Sequence, residues 1–264
     1  MDENRPEYDF EKPALFNKKR TIGIILAVLL LLVIPLLFMG YVFLSLPDVS
    51  SLKTENPQSS SFMDMSVSLA LQKGQPYQIK QEWVSFQEIP DQLKKAVRIS
   101  EDASFYIHEG VDFDELKESL KRNWEKGRYA RGGSTITQQL AKNLYLSPRK
   151  SLLRKVKEYF IARRLEKELS KNRIFHLYLN LIQFGPDVFG VQAASKEYFN
   201  KPVSELNWEE IVRLTAIIPR PLDQHPTKPT RWLNWRCRWI LEKLKLYGYI
   251  DEHSFEETIT RFRN

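Results

Sequence analysis

Three short stretches carry residue types whose spacing could do chemistry. The first, residues 131–143, reads RGGSTITQQLAKN. A basic residue and two glycines lead into a predicted helix with Ser134 as its cap. Gly132 and Gly133 open backbone conformations closed to other residues and let a ligand approach closely. A serine oxygen accepts an amide hydrogen left unpaired in the first turn. Such helix starts favour anions, phosphates above all. Thr135, Thr137, Gln138 and Gln139 then place four hydrogen-bonding side chains ahead of Lys142. An ordinary Gly-Gly turn with a serine cap would explain most such stretches. Against that, a solvated helix rarely places hydroxyls and amides where Glu, Lys and Ala propagate better. Alone, the stretch specifies a polar or anionic ligand at a helix start.

The second stretch, residues 101–112, reads EDASFYIHEGVD and gathers Glu101, Asp102, His108, Glu109 and Asp112 around Phe105 and Tyr106. A carboxylate beside apolar walls is a candidate general acid or base. The competing reading is a solvated acidic helix end near Gly110, with His108 satisfied in the core. The third stretch runs over residues 149–166, where Arg154, Lys155, Glu158, Arg163, Arg164 and Glu166 share a helix with an apolar face. Most of these form an ordinary charged face paired at three and four residues. A carboxylate among several cations also suits a metal or a phosphate-binding lysine. His108, His176, His225 and His253 show no zinc-ligand spacing, and Cys237 stands alone.

These stretches need elements to hold them. The chain has 264 residues, with 40 Lys and Arg against 33 Asp and Glu. Between Thr21 and Pro47 there is no charged residue, a run longer than the roughly 20 apolar residues that cross a bilayer. Lys18, Lys19 and Arg20 precede it, so the positive-inside rule puts the N-terminus in the cytoplasm and the remainder outside. The run exceeds a typical signal core and no small-x-small site follows, which favours a retained single-pass anchor over a cleaved signal. Charges in residues 1–20 cancel, so the net charge of +7 belongs beyond the membrane. That excess suits an anionic partner; outside the cytoplasm, nucleic acid is not expected. One cysteine excludes an internal disulfide.

The expected division is a cytoplasmic tail over residues 1–20, a transmembrane helix over 21–46, a Ser- and Pro-rich stalk over 47–64 and one domain over 65–264. Within that domain, residues 65–87 alternate in places around Gly74 and Pro76 and are read as a small hairpin or extended arm. Beyond Pro90 the apolar spacing is helical throughout. The fold class expected is mainly α. On the stretch 113–129, Phe113, Leu116, Leu120 and Trp124 recur at helical spacing beside Lys117, Lys121, Arg122 and Lys126. That face suits either lipid contact or ordinary packing.

EDASFYIHEGVD, RGGSTITQQLAKN, RKVKEYFIARRLE and SKNRIFHLYLN follow, in order and spacing, four successive motifs of the peptidoglycan glycosyltransferases. The chain resembles that family over residues 83–221, in its stand-alone membrane-anchored form, with no transpeptidase domain expected. The resemblance implies a lysozyme-like, mainly helical domain after a single transmembrane helix and a short extended arm. It implies a bacterial inner-membrane enzyme with an extracytoplasmic catalytic domain. The implied partners are lipid II, the nascent glycan strand, the membrane and other cell-wall synthesis proteins. The implied reaction is polymerisation of lipid II, with inversion and release of undecaprenyl pyrophosphate. In the motifs, Glu101 matches the general base and Glu158 the second carboxylate, the latter with room for a divalent cation (Mg or Mn). Lys142, Arg149 and Lys155 match the pyrophosphate-binding cations, with Arg154 in support. Ser134, Thr135, Gln138 and Gln139 would line the sugar and phosphate path, and Asp102 and His108 would support the base.

One departure is visible: where the family has an aromatic-Gly-x-Gly pattern, Phe184-Gly185-Pro186-Asp187 lacks the second glycine. Asp187 is expected to tolerate the left-handed conformation there. Two rival readings are a lysozyme-like hydrolase or lytic transglycosylase and a non-catalytic lipid II-binding scaffold. A hydrolase needs an acid at the leaving oxygen but no cations at a pyrophosphate, so Lys142, Arg149 and Lys155 discriminate against it.

Overall fold

The computed structural model describes residues 18–74, 76–125, 133–149 and 151–262. Arg131, Gly132 and Lys126 lie outside the described residues, as does the side chain of Leu120. The chain divides after Leu46 into two units. The first holds helix α1 (Lys18–Leu44), interrupted in sequence by Pro35. Thr21–Leu44 has a mean hydropathy of 3.2 and no residue of its most apolar window buried within the protein. At about 1.5 Å per residue it is long enough for a hydrocarbon core of about 30 Å. This N-terminal helix therefore fits a membrane anchor.

The second unit is mainly α. Its helices among the described residues are α2 (Ser61–Gln72), α3 (Asp91–Glu101), α4 (Phe113–Glu125), α5 (Ile136–Tyr145), α6 (Leu152–Glu168), α7 (Lys171–Leu181), α8 (Val191–Phe199), α9 (Trp208–Ile217), α10 (Arg231–Leu246) and α11 (Glu252–Thr260). Helix α7 lies at the centre: Ile174, Phe175, Leu177, Tyr178, Leu179 and Leu181 are all buried. A helix apolar on nearly every side is stable only when enclosed. Helix α5 packs on α6 and α7, while α9 packs on α3 and α10. Ser170 starts α7 by accepting from the Arg173 amide at 3.2 Å.

The expected hairpin is not formed. Residues 61–72 make α2, capped by Ser60 and buried through Met63 and Ala70. The alternation in SVSLALQ is too short to outweigh that cap and the core contacts. Only Lys80 and Gln81 form a strand, β1, pairing in parallel with β2 (Val188–Phe189). The arm is held by Asn180, fully buried in α7. Its side chain accepts from the Val84 amide at 2.9 Å and donates to the Val84 carbonyl at 3.2 Å. The run read as a stalk is also fastened. Arg173 donates to the carbonyls of Leu52 and Glu55 at 2.8 and 2.7 Å, and Arg164 to that of Pro47 at 3.1 Å.

At the loop with the missing glycine, Asp187 does not enter the left-handed region; Asn200 is the non-glycine residue at positive φ among those described. Asp187 instead lies 3.4 Å from Lys80. The glycine constrained by both positive φ and a sub-3 Å backbone contact is Gly190, at φ +80, where a Cβ would sit 2.5 Å from the Asn180 carbonyl oxygen. Gly74 also has positive φ but faces open space. Gly74→Ala should therefore cost about 1–2 kcal/mol, the left-handed penalty alone. Gly190→Ala should cost more than about 3 kcal/mol, because the backbone it meets cannot yield. Chemical unfolding of the detergent-solubilised protein distinguishes the two; equal losses would refute the steric account.

Candidate active-site groove

The site begins with the last residue of α3 and the first turn of α5. Asp102, directly after α3, is buried and receives the Ile136 amide at 2.9 Å. Both its oxygens lie 3.0 Å from His108 Nε2. The Gly110 amide donates to His108 Nδ1 at 3.1 Å, so Nε2 carries the proton and donates to Asp102. The cap of α5 is Thr135 rather than Ser134. Thr135 and Gln138 form a reciprocal capping box, and the Thr135 hydroxyl also donates to the Gly110 carbonyl at 2.6 Å. The anion expected at this helix start is thus the protein's own Asp102 carboxylate. Gln138 is buried and occupied by the cap, which takes it out of the sugar path.

Glu101 is held one residue before that anchor, its side chain only 9% exposed. A carboxylate so enclosed needs hydrogen-bond donors to remain ionised. Oε1 accepts from Ser100 Oγ and from Arg236 Nη2, each at 3.2 Å. Oε2 accepts from Gln139 Nε2 at 3.1 Å, and Gln139 Oε1 in turn accepts from the Tyr178 hydroxyl at 3.0 Å. Each oxygen is therefore referred to a different part of the fold, α10 on one side and α5 with α7 on the other. Burial raises the Tyr178 hydroxyl pKa well above its ordinary value, with the Glu101 and Asp102 charges adding to it, so the phenol keeps its proton and remains a donor.

The cations come mainly from α5 and α6. Lys142 is half-buried, with its ammonium 5.5 Å from the centre of the Phe62 ring. Burial lowers its pKa below that of an ordinary lysine; Glu158 and Glu101 oppose that shift, and Arg154 and Lys155 add to it. Behind it, Glu158 is buried and takes Arg154 Nη1 on one oxygen and Lys155 Nζ on the other, each at 2.5 Å. Lys155 also reaches Ser134 Oγ at 3.2 Å. Removing the carboxylate from such a pair leaves a buried positive charge uncompensated, which is expensive. Glu158 thus organises the cations. Its oxygens are both engaged by cations, and no three His, Cys, Asp or Glu residues among those described converge on a metal-sized site. The surroundings of Glu158 do not fit a divalent cation.

Glu101, Asp102, His108, Ser134, Thr135, Gln139 and Lys142 line one groove of about 1470 Å³. Lys155 joins it through Ser134. Arg149 does not: it is exposed on the α5–α6 connection, outside the lining. Arg236, Phe62 and three tryptophans of α10 line or border the same groove and carry no local sequence signal; Arg236 is 135 residues from Glu101 in the chain.

A family model described as Transglycosylase matches residues 68–245. A biosynthetic peptidoglycan transglycosylase of Nitrosospira multiformis is 41% identical over 189 residues, 72% of this chain and 82% of that protein. Its namesake in Methylobacillus flagellatus is 39% identical over 217 residues, 82% of this chain and 93% of the relative. A third, from Alcanivorax borkumensis, is 42% identical over 201 residues, 76% of this chain and 79% of the relative. A match this long, laid over a helical domain whose buried acid and lysine face one groove, has one reading: the chain belongs to the transglycosylase family.

Proposed function

We propose that this protein is a membrane-anchored peptidoglycan glycosyltransferase that polymerises lipid II into glycan strands. The observation that carries the reading is Glu101 and Lys142 opening onto a single groove. Attack by the acceptor 4-hydroxyl on the donor anomeric carbon requires a base at the oxygen and positive charge at the leaving group. Glu101 takes the hydroxyl proton while the new carbon–oxygen bond forms with inversion. The pyrophosphate leaves with the electron pair of the broken bond, and Lys142 and Lys155 stabilise its charge. Fixed cations in a partly enclosed groove act strongly there because they need not reorganise as charge develops. Arg236 and Gln139 hold the base in one orientation, which favours a near-attack geometry. A hydrolase would not need the lysines beside Ser134, and an inert scaffold would not need an enclosed acid fixed on both oxygens.

The reading places α1 in the bacterial inner membrane, with the N-terminus cytoplasmic and the second unit outside, on the positive-inside rule. Phe113, Leu116 and Trp124 of α4 are 64%, 36% and 89% exposed. They support contact of α4 with lipid. Arg122 is engaged by Glu118 and Lys121 lies 3.9 Å from Glu125, so the headgroup contact falls first to Lys117. Other cell-wall synthesis proteins are further partners on this reading.

Glu101→Gln should lower polymerisation of labelled lipid II by at least about 100-fold, with about 1 kcal/mol lost from stability through the Gln139 contact. A polymer yield equal to wild type would remove Glu101 from the mechanism. Because burial lowers the Lys142 pKa, its ammonium is lost at a lower pH than an ordinary lysine's, and activity should fall on the alkaline side accordingly. Lys142→Arg, whose charge persists at high pH, should move that alkaline limb upward. An unmoved limb would show that another group sets it. Replacing Phe113 and Trp124 by Ser in residues 47–264 should weaken liposome binding without changing the unfolding midpoint; unchanged binding would return α4 to an ordinary surface helix.

A further inference from the structure

Helix α10 presents Trp232, Trp235 and Trp239 at i, i+3 and i+7, and all three line the groove that holds Glu101. Residues at those intervals share one helix face, so they form a single ridge. Trp235, in the middle, is 51% exposed. Its neighbours are each covered by a guanidinium: Arg220 lies 4.8 Å from the Trp232 ring and Arg236 4.7 Å from the Trp239 ring. The ridge is also close to the base, because Arg236 donates to Glu101. None of these tryptophans is needed for the proton transfer or for the leaving group.

We propose that the α10 ridge is a stacking platform for the pyranose rings of the glycan next to the reacting hydroxyl, with Trp235 as its open face. A β-linked amino sugar has an apolar face of C–H groups and a rim of hydroxyls and amides. The ridge offers the matching pattern, an indole plane flanked by the exposed Arg220 guanidinium, which can donate to that rim, and by Arg236, which ties the ridge to Glu101. An acyl chain fits worse, because covering the exposed Arg220 with hydrocarbon would strip its charge of hydration without supplying an acceptor. Indole faces hold planar or flat-faced ligands without demanding one sequence of substituents, which suits a repeating polymer that must move on after each addition. This inference rests on the glycosyltransferase reading for the origin of the sugar, while the contact itself does not depend on turnover.

The test uses the full-length protein in detergent and chitotetraose, which shares the β-1,4 amino-sugar backbone but lacks lipid, pyrophosphate and peptide. Trp235→Ala should weaken chitotetraose binding by about 10-fold, roughly the loss of one aromatic contact, and Trp235→Tyr should restore most of it. Tetramer binding reads the platform and polymerisation by Glu101→Gln reads the base, so the two can fail separately. With lipid II, Trp235→Ala should give shorter strands. Equal tetramer affinity in wild type and Trp235→Ala, or no tetramer binding by wild type, would overturn the platform. Loss of vesicle binding in Trp235→Ala with tetramer affinity intact would overturn it in favour of a lipid-facing ridge.

Discussion

The site depends on the Asp102 carboxylate at the start of α5. It stands where α3 ends, takes the Ile136 amide, and holds the protonated nitrogen of His108. One buried anion thus fixes three segments: the end of α3, the loop through His108 and Gly110 just after it, and the first turn of α5, 34 residues away. It is affordable only because every part of it is satisfied, by a backbone donor at a favourable helix end and by a histidine whose other nitrogen is occupied. Glu101 is the preceding residue, so its position follows from that of Asp102.

Two adjacent carboxylates therefore have different tasks. Asp102 is enclosed and consumed by structure. Glu101 borders the groove, and its oxygens are held by donors from opposite sides, Arg236 on α10 and Gln139 on α5. A similar division applies to the cations. Arg154 and Lys155 are tied to Glu158, whereas Lys142 stands forward of them, half-buried against Phe62. The ion pairs behind the groove keep like charges from driving Lys142 out of it, and the apolar contact beside it makes its charge sensitive to solvent.

The motif stretches divide by the same logic. Within RGGSTITQQLAKN, Thr135 and Gln138 close the helix start, Gln139 reaches the base, and Lys142 reaches the groove three residues further along. The residues that face inward at this helix alternate between holding the fold and holding the substrate path, which is why a run of polar side chains sits where a propagating helix would prefer Ala and Glu. The exposed apolar residues of α4 and the tryptophans of α10 are further surfaces whose composition answers to something other than folding.

What the sequence determined by itself were features decided locally or by long periodicity. The apolar run that becomes α1, the helical spacing after Pro90, and the Ser170 cap depend only on neighbours within a turn or on length against a bilayer. Motif order and spacing grouped Glu101 with Lys142, Arg149 and Lys155; in the folded domain Glu101 and Lys142 line one groove, Lys155 reaches it through Ser134, and Arg149 lies outside. Tertiary structure decided the rest. Ser134 and Thr135 are both good caps, and the choice fell to Thr135 because its hydroxyl also meets the Gly110 carbonyl, 25 residues away. The alternating run before Gly74 became α2 because its cap and its burial against the domain outweighed a short two-residue period. Arg236 could not be read from its surroundings at all, since a basic residue on a basic helix acquires a role only when packing brings α10 against the end of α3. Local rules set what each segment can be; the partners of a buried charge are known only once the chain has folded around it.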